Sequence, residues 1–329
     1  MMKSLQIEEY GKIDEVTQLV ETDLPEPESN QVVVQLLASP IHPSNVMLIK
    51  GEYVQVKFPH KLGTEGLGKV TKVGTDVDNL SVGDVVLLPG GKPAWQTEML
   101  ANANQLHALP VKDKDMMLQL AMTSINPPTA YLMLHNFVDL EEGDWVIQNA
   151  ANSAVGRYLI QFAHNMGVKT INVVRRAELK EELKAIGADA VVVDGDNLAQ
   201  QVKEIVGDGK VRLGIDAVAG EASSRLLSCL SKGATMVVYG SMSLQPIKIQ
   251  LGPLLANEAV ITSFWLSKWY RETDPSEIMP LLQKISKMIL EGKLSTKISK
   301  TFSLDQYKEA LNYADSEAKG GKVLFTNFD

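Results

Sequence analysis

The chain has 329 residues, 22% of them charged and 45% hydrophobic, with a formal net charge of −8. That length suffices for two domains of about 100–200 residues each, and the acidic balance argues against nucleic acid or an anionic membrane as the main partner. The single cysteine, Cys229, excludes an internal disulfide framework and a four-cysteine zinc site.

The segment Met1 to Gln6 has neither an apolar secretion core nor Arg-rich amphipathic character, and no run is long enough to span a bilayer, so the cytoplasm is the expected compartment. From Met1 to about Leu120, short strands are predicted at Val32–Leu37, Gly66–Val73, Asp84–Leu88 and Trp95–Leu100. Gly and Pro punctuate this region throughout, which predicts a β-rich, barrel-like domain. An apolar helical stretch from Met116 to Leu134 carries Asn126-Pro127-Pro128-Thr129-Ala130-Tyr131 and reads as the join to a second domain.

From Asp144 the pattern changes to buried strands alternating with amphipathic helices. Strands are predicted at Trp145–Gln148, Lys169–Val174, Ala190–Val193, Leu213–Val218, Ala234–Tyr239 and Val260–Trp265. Helices are predicted from Val155 to Met166, over Ala177–Ile186, through Leu198, Val202 and Ile205, and over Glu221–Leu230. The expected class is therefore α/β, a doubly wound Rossmann cofactor domain beside the β-rich, barrel-like catalytic domain. The tail, with helices at Ser276–Leu290 and near Leu304–Asp315 and a strand at Val323–Thr326, is too short to fold alone and should pack on the first domain. The expected division is 1–121 with 271–329 as substrate domain and 122–270 as NADP(H)-binding domain.

The turn after the first Rossmann strand, Gln148-Asn149-Ala150-Ala151-Asn152-Ser153-Ala154-Val155-Gly156, opens a helix. Free N–H groups and the helix dipole there favour a pyrophosphate. Against G-x-G-x-x-G the three positions are Ala151, Ser153 and Gly156, a degraded but workable pattern in which the Ser153 hydroxyl could donate to a phosphate. Where an NAD-preferring site has an acid for the ribose 2′-hydroxyl, this chain has Arg175-Arg176, which favours a 2′-phosphate and hence NADP(H). An ordinary parallel-sheet βαβ unit with surface arginines would read the same way.

The chain resembles the medium-chain dehydrogenase/reductase superfamily, and within it the zinc-free trans-2-enoyl-thioester reductases and their quinone-reductase relatives. The resemblance spans nearly the whole length. It rests on Ser39-Pro40-Ile41-His42-Pro43-Ser44-Asn45, Lys50-Gly51-Glu52-Tyr53, Gly63-Thr64-Glu65-Gly66, Asn126 to Tyr131, Gln148 to Gly156, Asn172 to Arg175, Tyr239-Gly240-Ser241-Met242 and Phe264 to Trp269. It implies that Tyr53 is the proton donor and that Asn126 lies near the nicotinamide. It further implies that Asn152, Ser153, Ala154 and Val155, with Gly156, hold the pyrophosphate, and that Arg175 holds the 2′-phosphate with Arg176 as a neighbour. Tyr239, Gly240, Ser241, Met242, Phe264, Trp265, Leu266 and Lys322 match further cofactor-binding positions. Zinc-dependent relatives place a His before the Glu of Gly63-Thr64-Glu65-Gly66 and a Cys upstream; with Thr64 there and no Cys before Cys229, no metal is expected.

Two departures stand out. The family's Asn-Pro-Ser-Asp reads His42-Pro43-Ser44-Asn45, and the glycine of the turn is Ala154. His42, His60 and His107 have no metal-ligand spacing and read as structural or surface residues, Trp265 reads equally as a core aromatic or as a wall of the acyl pocket, and Cys229 reads as a buried small hydrophobe. The implied activity is NADPH-dependent reduction of an enoyl thioester, with an acyl carrier protein as a candidate partner and a homodimer joined through cofactor domains. Reduction of quinones or small α,β-unsaturated carbonyls, and NADPH binding without catalysis, are the alternatives.

Overall fold

The structure, a computed structural model, describes residues 1–316 and 320–328; residues 317–319 and 329 of the expected tail lie outside it. It divides into two compact units, one of Met1–Ile125, Lys284–Gly292 and Thr296–Asp329, the other of Asn126–Gln283 and Lys293–Ser295.

The first unit opens with β1 (Met2–Ile7), α1 (Ile13–Val16) and β2 (Thr17–Thr22), the strands pairing antiparallel. Neither strand has a clear apolar signal in the sequence, because β1 buries polar as well as apolar side chains: Ser4 and Gln6 are only 1% and 9% exposed. β3 (Gln31–Ile41) is longer than the expected Val32–Leu37. It leads into α2 (Pro43–Lys50), also unanticipated, which begins on a proline whose missing N–H costs nothing there and stops at left-handed Gly51. There follow β4 (His60–Lys61), β5 (Leu67–Val73), β6 (Val85–Leu87), β7 (Glu98–Asn102) and β8 (Ala108–Leu109). The strand expected at Trp95–Leu100 is shifted because Trp95 is taken into the core, fully buried, with its N–H on the Leu62 carbonyl at 3.0 Å. The single helical stretch expected over Met116–Leu134 is two helices. α3 (Lys114–Leu120) is capped by the Asp113 carboxylate, and α4 (Asn126–His135) starts afresh with Pro127 and Pro128 in its first turn, where a helix tolerates proline.

The second unit contains α4 and the six-stranded parallel sheet of β9 (Trp145–Gln148), β10 (Lys169–Val174), β11 (Ala190–Val193), β12 (Val211–Asp216), β13 (Thr235–Val238) and β14 (Val260–Ser263). Their spatial order, β11-β10-β9-β12-β13-β14, is that of a doubly wound Rossmann sheet, with the switch point between β9 and β12. Central strands such as β9 are buried at every residue, as parallel strands covered on both faces must be. The intervening helices are α5 (Ala154–Asn165), α6 (Lys180–Lys184), α7 (Leu198–Val206), α8 (Glu221–Leu227), α9 (Leu251–Ala256) and α10 (Leu266–Glu272). The helix expected over Ala177–Ile186 begins as a 3₁₀ turn, Ala177–Leu179, and the strand expected to reach Trp265 stops at Ser263 because Trp265 occupies the position before α10. Cys229 packs among Leu226, Leu227 and Leu230 at 8% exposure, and burial pushes its thiol up to about 12.

α11 (Pro275–Leu290) crosses the division at Gln283/Lys284, later than the expected return at 271. Beyond it, β15 (Ile298–Phe302), α12 (Tyr307–Asp315) and β16 (Lys322–Thr326) add to the first unit's sheet. Its order is β15-β16-β3-β5-β6-β8, with β7 also on β3, and β16 runs antiparallel to β3 from Val323 opposite Ile41 to Thr326 opposite Ala38. Phe325, fully buried, meets Trp95 edge-on with ring centroids 5.2 Å apart. Removing a buried phenyl costs about 3–5 kcal/mol, so Phe325→Ala should lower the unfolding free energy of the first unit, measured by denaturant titration, by that amount. A variant within about 1 kcal/mol of wild type would show that the tail is not part of this core.

Candidate active site

The C-terminal edge of the parallel sheet gathers most of the residues singled out by sequence. β9 leads into Asn149, whose side chain crosses the switch point: its Nδ2 donates to Asp216 Oδ1 at 2.6 Å and its Oδ1 accepts from Ala217 N at 2.8 Å. Asp216, fully buried at the end of β12, also accepts from the backbone N–H groups of Val218 (2.9 Å) and Ala219 (3.0 Å), and from the Ser223 hydroxyl. Neither residue was singled out from the sequence. The available signal was an Asn directly after a buried strand and an Asp closing another, both polar groups with nowhere to go but each other.

The turn itself is tighter than the glycine pattern suggests. The residue in left-handed conformation is Ala150 at φ 47°, not Ala151, and Ser153 N–H closes the turn on the Ala150 carbonyl at 2.9 Å. Ser153 Oγ caps α5, accepting from Gly156 N at 3.1 Å, and its hydroxyl also bonds that of Tyr239, whose ionisation burial pushes upward. At Gly156 a Cβ would come within 2.5 Å of the Ala151 carbonyl oxygen, so this one glycine of the fingerprint is obligatory. Arg157, 6% exposed, braces the turn: Nε donates to the Asn152 carbonyl at 3.2 Å while Nη2 reaches Glu182 of α6 at 2.7 Å.

β10 delivers Arg175 and Arg176 to the same edge, both exposed. They are not equivalent. Arg176 Nε lies 3.6 Å from Glu178, an acid close enough to compete for it, whereas Arg175 makes no ion pair among the described residues. β13 delivers Tyr239 and Gly240. Met242 N bonds the Ala217 carbonyl at 3.0 Å, leaving the Ser241 and Met242 side chains exposed, and a Cβ at Gly240 would come within 2.9 Å of that same carbonyl oxygen. β14 leads to buried Phe264, exposed Trp265 and buried Leu266, with the Arg271 guanidinium 4.8 Å over the Trp265 ring. Asn126 opens α4; its Nδ2 is buried and, among the described residues, has no hydrogen-bond partner. An orphaned buried amide, two close-approach glycines and an unpaired guanidinium beyond β10 fit a phosphorylated dinucleotide.

Tyr53 and Lys322 belong to the first unit. Tyr53 is 44% exposed on the loop after α2. Lys322 is buried and gives its Nζ to the Ile41 carbonyl at 3.1 Å and to His42 Nδ1 at 3.3 Å. On its other side His42 Nε2 contacts Glu65 Oε1 at 2.8 Å, and Glu65 Oε2 accepts from Ser124 N at 2.7 Å. Burial, then the Lys322 charge, hold the His42 ring below its usual range against the opposing pull of Glu65. Asn45, in the place of the family's Asp, is conservative in effect, because its Oδ1 accepts from His42 N at 2.9 Å as a carboxylate would.

Comparison with known proteins gives these features a family. The alcohol dehydrogenase GroES-like domain profile matches residues 28–110 and the zinc-binding dehydrogenase profile residues 154–286. The chain is 38% identical over 310 residues to the mitochondrial enoyl-[acyl-carrier-protein] reductase of Rattus norvegicus, covering 92% of this chain and 82% of the relative. With its counterpart in Caenorhabditis elegans it shares 36% over 324 residues, covering 96% and 92%. The chain belongs to the medium-chain dehydrogenase/reductase superfamily. Among solved members, a complex of the enoyl thioester reductase Etr1p with NADP and crotonyl-CoA superposes at a TM-score of 0.87 with 27% identity, covering 99% of both chains. A quinone oxidoreductase from Escherichia coli complexed with NADPH gives 0.83 and 25%, covering 99% of this chain and all of that one.

Some members of this superfamily bind zinc, but the residues here do not suit it. Thr64 is exposed where those members place a histidine, and the adjacent His42–Glu65 pair already faces the Lys322 ammonium. Among the described residues no three His, Cys, Asp or Glu side chains gather into a metal site.

The buried histidine predicts a pH dependence. His42 resists protonation when folded but titrates near 6.5 when unfolded, so the unfolded chain binds a proton the native one does not. Stability should hold above pH 6.5 and decline as pH falls through that value. His42→Asn should flatten this decline in unfolding midpoints measured from pH 7.5 to 5; an unchanged slope would show that His42 is not the group responsible.

Proposed function

We infer that the protein is an NADPH-dependent reductase of trans-2-enoyl thioesters that works without a metal. The observation that carries the reading is Arg175 beyond β10, without an ion pair among the described residues, on the sheet edge where the turn at Ala150–Gly156 opens α5, in a chain 38% identical to a named enoyl reductase. Asn152 to Gly156 would hold the pyrophosphate through N–H groups at the α5 N-terminus, and Arg175 the 2′-phosphate. Asn126, Tyr239 to Met242, Phe264 to Leu266 and Lys322 complete the proposed cofactor set, with Arg176 secondary because it leans on Glu178. NADPH, when bound, supplies the hydride for the β-carbon of the double bond.

The chain's own part in the chemistry is to hold the thioester, stabilise charge on its oxygen and return a proton to the α-carbon. Tyr53 is our candidate acid, because it stands where the resembled reductases carry their proton donor and is 44% exposed on the loop after α2. The names of the curated relatives support an acyl carrier protein as thioester carrier, and the crotonyl-CoA complex supports coenzyme A. Pairing into a homodimer through the cofactor units is also part of the proposal, supported by the exposed side chains of Leu251 and Leu255 on α9 and of Val260 on the edge strand β14. No helix among the described residues is long and apolar enough to cross a membrane. We propose a cytoplasmic site of action, although the named relatives are mitochondrial.

The second reading, a quinone reductase, is favoured by the structural likeness to such enzymes. Acceptors separate the two. A positioned acid contributes about 10²–10⁴-fold to proton transfer, whereas a reduced quinone takes its protons on oxygens that water reaches. Tyr53→Phe should therefore lower enoyl-CoA turnover at least about a hundredfold while barely changing quinone turnover or the KM for NADPH. Retention of more than about a third of enoyl turnover would remove Tyr53 from the mechanism.

Cofactor choice is tested at Arg175. A charge-assisted bond is worth roughly 1.5–3 kcal/mol, so wild type should prefer NADPH over NADH by about tenfold or more in kcat/KM. Arg175→Ala should raise the KM for NADPH and leave that for NADH nearly unchanged; equal use of both cofactors by wild type would refute the assignment.

A further inference from the structure

The loop 51–59 that carries Tyr53 contains no helix or strand, and its shape is fixed from outside by Tyr10, in the turn after β1. The Tyr10 hydroxyl accepts from Val56 N at 2.7 Å and donates to the Val54 carbonyl at 3.4 Å. Those are the residues one and three positions beyond Tyr53. The Tyr10 ring meets Phe58 edge-on, with centroids 4.8 Å apart and planes at 72°. At the start of the loop, Gly51 is left-handed at φ +78°, and a Cβ there would lie 3.0 Å from Tyr10 Cγ, so the chain rests directly on the ring. Gly11 N–H donates to the Ile49 carbonyl at 3.0 Å, anchoring the Tyr10 turn to the end of α2. One side chain thus touches the loop at its entry, at its middle through both hydroxyl bonds, and at its exit. Each contact replaces a tie that a neighbouring strand would otherwise supply to the backbone.

We propose that Tyr10 is a positioning residue for the enoyl reaction, holding the 51–59 loop so that the Tyr53 hydroxyl stays at the place where the α-carbon is protonated. This rests on the reading of Tyr53 as the acid. Tyr10 acts through the backbone on either side of Val54 and Val56. A general acid must lie within hydrogen-bond reach of the atom it protonates, and a misplacement of about 1 Å can cost on the order of a hundredfold. Removing the Tyr10 hydroxyl keeps the ring, its edge-on contact with Phe58 and its contact with Gly51, so Tyr10→Phe loosens the middle of the loop without emptying a packing site.

The experiment compares wild type, Tyr10→Phe, Tyr53→Phe and the double variant by turnover with a short trans-2-enoyl-CoA, by KM for NADPH and by hydrogen exchange at the Val56 amide. Tyr10→Phe should lower enoyl kcat by about tenfold, leave the KM for NADPH within about twofold and speed Val56 exchange. Added to Tyr53→Phe, it should cost less than about twofold more, because the group it positions is gone. Faster Val56 exchange with unchanged enoyl kcat would overturn the proposal, as would an equal loss in both backgrounds, which marks a general structural effect. If Tyr53→Phe alone keeps wild-type turnover, the reading of Tyr53 as the acid fails and the positioning role falls with it. If Tyr53→Phe is costly and Tyr10→Phe is silent, only the role of Tyr10 is overturned.

Discussion

A single carboxylate, that of Asp216, ties together the two halves of the parallel sheet at the point where strand order reverses. A buried carboxylate is tolerated only if its oxygens are met by donors, and here four serve it: the Asn149 amide, two consecutive backbone N–H groups and the Ser223 hydroxyl. The same contacts fix the ends of β9 and β12 and the first turn of α8. Without them the turn after β9 would have no floor, since Asn149 both receives Ala217 N and leads directly into left-handed Ala150. Everything proposed for the cofactor hangs from that junction. An anionic ligand at a helix N-terminus needs N–H groups held in place beforehand, and the brace of Arg157 on the Asn152 carbonyl completes the hold from the outer side.

The polar interior continues behind the turn. Gln148 Nε2 donates to the Gly156 carbonyl at 2.9 Å and to Asn172 Oδ1 at 2.8 Å, and Asn172 in turn reaches Thr170 and the Ala190 carbonyl. Three neighbouring parallel strands are thus cross-linked by amide side chains in a layer otherwise filled by Val and Ile. The network is not fully satisfied, since among the described residues Gln148 Oε1 is buried without a hydrogen-bond partner, but its amide donors still tie the register of three strands whose ends face the ligand. The first unit solves a different problem. Buried Glu65 and Lys322 are separated by the ring of His42, which as a neutral imidazole donates to one and accepts from the other, while Lys322 Nζ also donates to the Ile41 carbonyl.

What the sequence made legible follows from how local the signal was. The Rossmann strands are short runs of buried Val and Ile between helices of clear 3.6 period, and β9, β10 and β11 lie at the residues the pattern indicates. The first unit is less legible because its strands bury polar residues such as Ser4; the pattern does indicate β16, in a tail expected to pack on this unit, but not its pairing with β3. Pattern within a window cannot announce a partner some three hundred residues away. The candidate site divides along the same line. Gly156 and Arg175 stand in local motifs, whereas Asn149, Asp216, Glu65 and Tyr10 matter through partners distant in sequence. Glu178, by contrast, is a local signal: a carboxylate two residues beyond Arg176 is a competitor for that guanidinium.

The solitary Cys229 has a practical meaning for anyone wishing to watch this molecule move. Alkylation and disulfide exchange proceed through the thiolate, and with its ionisation displaced to about 12 the thiol is all but entirely protonated at neutral pH. Its 8% exposure further denies reagents a path. The native chain is therefore chemically silent toward maleimides and spin labels. A cysteine introduced at the exposed Gln55, beside Val54 and Val56, would be the one reactive thiol on the protein, and would report the motion of that loop against no background.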